Sequence, residues 1–333
     1  MTNYDVYGVG NALVDSEYEV DDGFLNVAKL QKGVMTLIEA NDREQLIHLL
    51  ENEHEHRVVK QAGGGSAANT MVAVAQFGGK AFYSCKVASD ETGDFFMHDL
   101  KAAGVTTNLD QGREAGITGK CISMVTPDAE RTMCTHLGIT ANLGVKELNP
   151  DALRQSKYLY IEGYLVTSPT AMQAAQDAQA IARAAGVKVS LTLSDPAMVE
   201  FFKQGFDDLA EGGVDLVFCN EDEACLWTAS RSREEAMDRL KTICPQVVMT
   251  CGKDGAMIFD GDATTLVPGF AAKALDTTGA GDMFAGAFLY GINHGMSHVQ
   301  AASMANKAAS LLVANFGARM PIADVQALLT QNG

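Results

Sequence analysis

The sequence predicts an α/β fold in which a mostly parallel central sheet is flanked by helices on both faces. Short apolar runs typical of buried strands cover residues 4–10, 81–87, 157–165, 187–194, 214–220 and 246–252. Helical patterns lie between or beyond them, at residues 66–77, 91–103, 170–185, 232–243 and 297–314. This alternation of strands and helices is typical of a parallel sheet, whose ligands bind at the carboxyl ends of the strands.

Two segments interrupt the alternation and predict a small β-rich lid over the central sheet. Residues 13–60 carry short strand-like pieces and an acidic helix, "NDREQLIHLLENEHEH", and residues 105–140 resemble a run of strands without intervening helices. The chain has no internal repeat, low-complexity tract or proline-rich linker. We therefore expect one α/β domain over residues 1–333, with the lid as an excursion from it.

Composition restricts the possible partners. The 333 residues contain 25 Lys and Arg against 42 Asp and Glu, a formal charge of −17, which argues against binding nucleic acid or an anionic membrane. An anionic small substrate would need local donors such as helix ends and metal ions. Seven cysteines without a C-x-x-C pair predict buried thiols in a reducing compartment. With no signal-like start and no apolar run of about 18 residues, we expect a cytoplasmic protein.

The stretch "DTTGAGDMFAGAFLYG", residues 276–291, places Asp282 directly behind Gly279, Ala280 and Gly281 where a loop becomes an apolar helix. A helix N-terminus has unpaired N–H groups and partial positive charge, and glycine lets an anion approach the backbone. Asp282 alone is explained equally well as a helix cap. Capping leaves the preceding glycines and threonines unexplained, whereas a reacting phosphate explains them.

The first strand ends in "YGVGNALVD", which supplies Asn11 and Asp15. Short polar side chains there could bind the hydroxyls of a sugar or simply form a turn. The G-x-G also hints at a dinucleotide-binding turn. Leu13 occupies the position of the third glycine and no helix pattern follows, which weakens that interpretation.

The stretch "AGGGSAANTMVAVAQFGG", residues 62–79, places three glycines before a helix of small residues that begins near Ser66. Backbone at Gly64 and Gly65 could approach a ligand closely, and Asn69 lies about one turn into the helix. The alternative is a flexible loop with Ser66 as the N-cap, which makes three consecutive glycines an unnecessary entropic cost.

Two further strand ends carry polar residues. Asn220 and Glu223 in "FCNEDEACLW" can share one helix face and hold hydrated Mg²⁺, although a solvated acidic helix start is the better explanation of that motif alone. In "MTCGKDGAMIFDG", Thr250 and the loop glycines Gly252 and Gly255 could contact nucleotide phosphates, and a plain hairpin explains the motif nearly as well.

Three remaining features have ordinary explanations beside functional ones. Arg131, in the predicted lid, is either a surface charge or an arginine that closes over a transferring phosphate. His54 and His56 are better explained by a solvated helix end than by a metal site, because no further ligands are near in sequence. The small-residue helix "AASMANKAASLLVANFGA" indicates core packing or room for a flat base.

Together these motifs identify the sequence as resembling the ribokinase (PfkB) family of carbohydrate and nucleoside kinases. "AGGGSAAN" is similar to the family's first signature and "DTTGAGDMFAGAFL" matches its second, and the resemblance runs from "GVGNALVD" to "NFGARMP". No Walker A motif or protein-kinase signature is present. The long lid segment before "QAGGGSAAN" is similar to the adenosine kinase branch.

The resemblance implies roles for individual residues. Asp282 would be the catalytic base, the backbone of residues Gly279, Ala280 and Gly281 would form the anion hole, and Arg131 would neutralise phosphate charge. The acceptor would be bound by Asn11, Asp15, Gly64, Gly65 and Asn69. The nucleotide side would comprise Asn220, Thr250, Gly252, Gly255, Ala302 and Asn306. Glu223 would hold Mg²⁺ through water, and a monovalent cation such as K⁺ would lie near Asp276, Thr278 and Gly317.

The implied reaction moves the γ-phosphate of ATP, with Mg²⁺, to a hydroxymethyl group of an adenosine-like nucleoside. A free-sugar kinase of the ribokinase or fructokinase type is the alternative. Two hypotheses from other classes are a nicotinamide-dependent dehydrogenase, which leaves residues 279–282 without a task, and a catalytically silent binding protein. We expect a small-molecule partner, no nucleic acid or membrane, and a monomer or a homodimer formed through the lid.

Overall fold

The computed structural model describes residues 3–128 and 130–331. Its strands are β1 (Tyr4–Val9), β2 (Leu13–Glu19), β3 (Met35–Leu37), β4 (Val58–Gly64), β5 (Ala81–Ser84), β6 (Thr106–Thr107), β7 (Gly119–Val125), β8 (Arg131–His136), β9 (Ser156–Ile161), β10 (Lys188–Thr192), β11 (Leu216–Asn220), β12 (Gln246–Thr250), β13 (Gly255–Phe259) and β14 (Thr264–Pro268). Its α-helices are α1 (Asp22–Val27), α2 (Ala40–His48), α3 (Ser66–Gln76), α4 (Glu91–Ala102), α5 (Pro150–Arg154), α6 (Pro169–Ala184), α7 (Pro196–Glu211), α8 (Glu221–Thr228), α9 (Arg233–Ile243), α10 (Ala280–Asn293), α11 (His298–Leu312) and α12 (Ile322–Gln331).

Nine strands form a large sheet in the order β14-β13-β12-β11-β10-β9-β1-β5-β6. The strands from β6 to β12 pair in parallel, while β13 and β14 extend the edge as antiparallel strands. The six strand-like runs and five helical patterns of the sequence all correspond to elements of the structure. The predicted fold class is therefore confirmed. Helices α1, α5, α7 and α12 and strand β14 are additions that the sequence analysis did not predict, and β6, within the strand run expected in the lid, pairs with β5 in the large sheet instead.

Helices cover both faces of the large sheet. One core contains residues of α3, α4, α10, α11 and α12, and the second contains residues of α5, α6, α7, α8 and α9. Within β1, Val6 belongs to the first core and Tyr7 to the second, and both are fully buried. Successive strand residues point to opposite faces, so a sheet covered twice requires apolar residues at nearly every position.

Five strands form a small sheet in the order β3-β8-β7-β2-β4, which mixes parallel and antiparallel pairs. One of its faces packs in a third core with residues of α1 and α2, where Ile122 and Met124 on β7 are buried. The alternate residues of β7, including Cys121 and Ser123, line a cavity on the other face. The small sheet is thus covered by helices on one face only.

The chain passes from β1 directly into β2, so the G-x-G turn is followed by a strand and not by a helix. His54 and His56 pack edge-on against Phe24, at centroid distances of 5.3 and 5.1 Å. In residues 3–128 and 130–331, no group of three or more His, Cys, Asp or Glu side chains is arranged to hold a metal ion. The helices within those ranges include none that is long and apolar enough to cross a bilayer. All seven cysteines are free thiols, and six of them are buried.

Candidate active site

A cavity of about 560 Å³ lies between the carboxyl ends of the large sheet's strands and the uncovered face of the small sheet. This volume is within the usual range for small-molecule sites. The wall contains most of the residues singled out from the sequence, namely Asn11, Asp15, Gly65, Asn69, Arg131, Asn220, Glu223, Thr250, Thr278, Gly279, Ala280, Gly281, Asp282 and Gly317. Segments far apart in sequence therefore meet around one space.

Asp282 lies in the first turn of α10, half-buried at the cavity wall. The N-cap position belongs to Gly279, and the Asp282 carboxylate instead accepts hydrogen bonds from two residues of α3. The Ser66 hydroxyl donates to Oδ1 at 2.6 Å, and the Asn69 amide donates to Oδ2 at 3.1 Å. The carboxylate is therefore held by side chains and remains at the cavity.

The pKa of Asp282 is raised to about 6, because burial disfavours its charged form. The hydrogen bonds from Ser66 and Asn69 and the positive charge of Arg319 act in the opposite direction. A carboxylate with a pKa near 6 is ionised at neutral pH and accepts a proton more readily than an ordinary aspartate.

The loop before α10 presents backbone to the cavity. Gly279 has a φ of +76°, a left-handed conformation that favours glycine, and a Cβ there would lie 2.7 Å from the Ala318 carbonyl oxygen. Gly281 is exposed, and beyond its chain neighbours and its own helical backbone no atom lies within 4 Å of where its Cβ would be. This combination leaves open space at the N-terminus of an apolar helix, where N–H groups and the helix dipole favour an anion.

The three consecutive glycines pack against carboxylates and a backbone oxygen. A Cβ would lie 2.3 Å from Asp99 Oδ2 at Gly63, 2.4 Å from Asp15 Oδ2 at Gly64, and 2.4 Å from the Asn11 carbonyl oxygen at Gly65. A side chain at any of the three positions would require these groups to shift, so the glycine run permits their close approach. The flexible-loop interpretation of the run is therefore unnecessary.

Asp15 lines the cavity from β2. Burial raises its pKa to about 6, the positive charges of Arg319 and Arg131 lower it, and the charge of Asp282 raises it. Two partly buried carboxylates therefore share this side of the cavity, and each makes ionisation of the other less favourable.

Glu162, which the sequence analysis did not single out, is fully buried at the end of β9. Its carboxylate accepts N–H hydrogen bonds from Asn11 at 2.6 Å and Ala67 at 3.0 Å, and burial raises its pKa to about 7. It thereby fixes the two backbone segments that carry the polar residues of the acceptor side. Its position at the end of the apolar run "KYLYIEGYL" was the signal that could have identified it.

Arg319 is the second functional candidate that the sequence analysis missed. Its Nε donates to Asn69 Oδ1 at 2.8 Å, and Nη1 forms an ion pair with Asp99 on α4. It follows the "NFGA" stretch, at the far end of the chain from the residues it contacts. The rarity of basic residues in this acidic chain was the available signal.

On the opposite wall, Asn220 and Glu223 form a reciprocal cap at the start of α8. The Asn220 N–H donates to Glu223 Oε2 at 2.9 Å, and the Glu223 N–H donates to Asn220 Oδ1 at 2.8 Å. Burial raises the pKa of Glu223 to about 7. A buried carboxylate and an amide oxygen are hard ligands, and a cation nearby would relieve the cost of the buried charge, so these residues fit hydrated Mg²⁺.

Four residues of the predicted nucleotide side do not line the cavity. Gly252 is exposed at a turn, and Gly255 has a φ of +103° beside the Val267 carbonyl. Ala302 is fully buried in the core. The Asn306 amide donates to the carbonyl oxygens of Val267 and Pro268, at 3.0 and 3.1 Å, and so fixes the end of β14. Gly64 also lies outside the wall, behind Asp15.

Arg131 reaches from β8 to the loop before α10. Its Nη2 lies 2.8 Å from Glu17 and 2.9 Å from Asp276. The Asp276 carboxylate also accepts N–H hydrogen bonds from Thr278 at 3.0 Å and Gly317 at 2.7 Å. Because Arg131 already neutralises Asp276, the residues do not fit a monovalent cation in this conformation.

Comparisons with known proteins identify relatives of this chain. The pfkB family carbohydrate kinase model matches residues 33–324. The chain is 36% identical to a probable sugar kinase from Rhizobium etli and 35% identical to an adenosine kinase from Sinorhizobium meliloti, with TM-scores of 0.90 and 0.88 and 99% of each chain covered in both cases. It is 31% identical to a ribokinase from Mus musculus, over 68% of this chain and 70% of the relative.

The two structural matches cover nearly the whole chain, and all of these matches agree with the resemblance found in the sequence. The dehydrogenase hypothesis has no support among them. The chain belongs to the pfkB family of carbohydrate kinases and is a kinase of that family.

Proposed function

We propose that this protein transfers the γ-phosphate of ATP to a hydroxymethyl group of a nucleoside, with Asp282 as the general base. The observation that carries the proposal is the position of Asp282, whose carboxylate borders the cavity in the first turn of α10, beside the open backbone at Gly281. One small space thus offers a proton acceptor and a site for a phosphate.

In the proposed reaction the acceptor hydroxyl gives its proton to Asp282 as its oxygen bonds to the γ-phosphorus of ATP. The bond from that phosphorus to the bridging oxygen breaks, and ADP leaves. Phosphoryl transfer requires in-line positioning and stabilisation of charge on the equatorial oxygens more than covalent chemistry by the protein. N–H groups at the start of α10 are suited to stabilise that charge.

Kinases of this family use ATP with Mg²⁺, and Glu223 with Asn220 would hold the hydrated metal ion in this chain. When bound, Mg²⁺ neutralises phosphate charge. Arg131 would supply further positive charge from the small sheet once its contacts with Glu17 and Asp276 are exchanged for phosphate oxygens.

The lining of the small sheet favours a nucleoside over a free sugar. Leu13, Met35, Leu37, Met133 and Leu137 form an apolar part of the wall. An apolar wall gains from covering a flat base, whereas a free sugar presents hydroxyl groups that would lose hydrogen bonds with water there. The likeness to an adenosine kinase over 99% of the chain supports the same acceptor class. The likeness to a probable sugar kinase keeps the free sugar as the second candidate.

The test is a coupled assay of ADP formation with ATP and Mg²⁺ against a panel of nucleosides, ribose and fructose. We expect the highest kcat/KM with a purine nucleoside and loss of turnover with its 5′-deoxy analogue, which lacks the acceptor oxygen. A higher kcat/KM with a free sugar would reject the nucleoside, and absence of ADP formation with every acceptor would reject the kinase reaction itself.

A further inference from the structure

We infer that Arg319 is a positioning residue that fixes the Asn69 amide and thereby holds the Asp282 carboxylate in place for proton transfer. This inference rests on the proposed role of Asp282. Arg319 lines the cavity, and its hydrogen-bond connection to the Asp282 carboxylate runs through Asn69.

The first step is the direction of the Asn69 amide. Asn69 is buried, and its Nδ2 donates to Asp282 Oδ2 while its Oδ1 accepts from Arg319 Nε at 2.8 Å. An amide has one donating and one accepting end, and a guanidinium can only donate. Arg319 therefore holds the donating end of Asn69 toward Asp282. Without it, the accepting end of Asn69 loses its partner, and only the contact with the carboxylate still holds the amide.

The second step is the anchoring of Arg319 itself. Its Nη1 forms an ion pair with Asp99 of α4, and its side chain is 16% exposed. A Cβ at Gly63 would lie 2.3 Å from Asp99 Oδ2 and 3.3 Å from Arg319 Nη2, so a side chain there would displace this pair. The first glycine of the three-glycine run thus acquires a specific purpose.

The third step is the loop that carries Arg319. The Met320 carbonyl accepts a hydrogen bond from Gln76 at 2.8 Å, and the Ala318 backbone packs against Gly279. The Gly317 N–H donates to Asp276. One short loop therefore contacts α3, the start of α10 and the segment before it, which makes Arg319 a fixed point and not a mobile surface charge.

The charge of Arg319 acts on the same group. Acidic or phenolic side chains near Asp282 come from several elements and are Asp15, Glu162, Tyr83, Tyr160 and Tyr164. Against them, Arg319 is the positive charge that lowers the pKa of Asp282, and it also lowers that of Asp15. Loss of this charge should leave Asp282 protonated to a higher pH.

The test is Arg319→Met, studied by kcat across pH and by ¹³C NMR titration of protein labelled at aspartate carboxyl carbons. The Asp282 signal is assigned by its loss in Asp282→Asn. We expect the apparent pKa of the acidic limb of the kcat–pH profile and the pKa from the Asp282 NMR titration to rise together by about one pH unit. At the pH optimum kcat should fall about tenfold, the value of one charge-assisted hydrogen bond, with an unchanged KM for ATP.

Two further variants keep the inference falsifiable. Arg319→Lys retains the charge without the planar fork, so the titration should stay near that of the wild type while kcat remains lowered. Arg113→Met is the matched control, because Arg113 is 18% exposed, pairs with Asp94 on the same helix α4 and lies outside the cavity wall. It should change neither the pH limb nor the Asp282 signal.

An Arg319→Met protein with wild-type kcat and an unmoved Asp282 titration would overturn the inference. A raised KM for ATP with an unshifted acidic limb of the kcat–pH profile would also overturn the inference, because this result would indicate that Arg319 binds phosphate directly. Should Arg319→Met fail to fold, Arg319→Lys with unchanged kcat would overturn it equally. If the wild type transferred no phosphate, the proposed function would fail, and the NMR titration would still decide the effect of Arg319 on Asp282.

Discussion

The large and small sheets follow the same alternation of side chains and differ in what covers them. In the large sheet both faces are packed by helices, so Val6 and Tyr7, neighbours on β1, are each fully buried. In the small sheet Ile122 is buried beneath α1 and α2, while its neighbour Ser123 faces the cavity. The uncovered face of the small sheet is therefore the part of the fold that a ligand would complete.

The largest expected effect tests whether the edge of the large sheet supplies the chemistry. Asp282→Asn keeps the shape of the side chain but removes the proton acceptor, so kcat should fall by about 10² to 10⁴. Titration calorimetry should show nearly unchanged ATP affinity. Full turnover in this variant would show that Asp282 is not the base.

The next prediction compares one apolar residue from each sheet. Leu191 on β10 is fully buried, so Leu191→Ala should lower the free energy of unfolding by about 2 to 5 kcal/mol with little effect on the KM of the acceptor. Met133 on β8 lines the cavity, so Met133→Ala should cost about 1 kcal/mol or less and raise that KM several-fold. Urea unfolding and steady-state kinetics provide both values, and equal stability losses would contradict the difference between the sheets.

A third prediction concerns the connection between the small sheet and the loop before α10. Arg131→Gln should lower kcat/KM for ATP about 10- to 100-fold, because a charged hydrogen-bond donor to phosphate is lost. Glu17→Gln is the matched control, since it removes one of the two carboxylates held by Arg131 and leaves Arg131 in place. If both variants lowered kcat/KM equally, Arg131 would act only as a structural bridge.

The smallest effect concerns the buried Glu162, between the two sheets. Its pKa is raised from 4.5 to about 7 by burial, so the folded state binds a proton more tightly than the unfolded chain. The neutral form of Glu162 stabilises the folded state at pH values below 4.5, the pKa in the unfolded chain. This stabilisation is lost as the pH rises toward 7, the pKa in the folded state. Relative to Glu162→Gln, the wild type should therefore lose at least about 1 kcal/mol of unfolding free energy between pH 5 and pH 7.5. If the difference in unfolding free energy between the two proteins were the same at pH 5 and at pH 7.5, a raised pKa of the buried Glu162 would be contradicted.

Much of the fold could be predicted because its signals are local. The predicted strands of the large sheet are β1, β5, β9, β10, β11 and β12, and each of them is a short apolar run. Helices such as α3 and α11 repeat apolar residues at helical spacing. Helix α7 was missed; its regular geometry is interrupted at Phe202, where φ is −126° and ψ is 30°.

In the candidate site too, the features that could be predicted are local in sequence, and those that could not be predicted depend on distant segments. Asp282 and its glycines were recognisable because loop, helix start and carboxylate are consecutive in sequence. The alternatives left open by sequence depended on contacts with distant segments. Asp282 proved to be held by Ser66 and Asn69 instead of capping its helix, while Asn220 and Glu223 do cap theirs and also line the cavity. The catalytic and binding roles of these residues stay predictions until the variants are measured.

The sequence by itself determined most of the alternating strands and helices and the resemblance to the pfkB family, and it predicted an anion-binding site at residues 279–282. Only the tertiary structure decided that Arg319 donates a hydrogen bond to Asn69 and that Glu162 accepts one from the backbone of Asn11, contacts that join residues 250 and 151 positions apart. Helix and strand formation depend on the spacing of neighbouring residues, which a sequence displays directly. The partner of a buried charge is chosen by packing and desolvation, which exist only once distant segments are brought together.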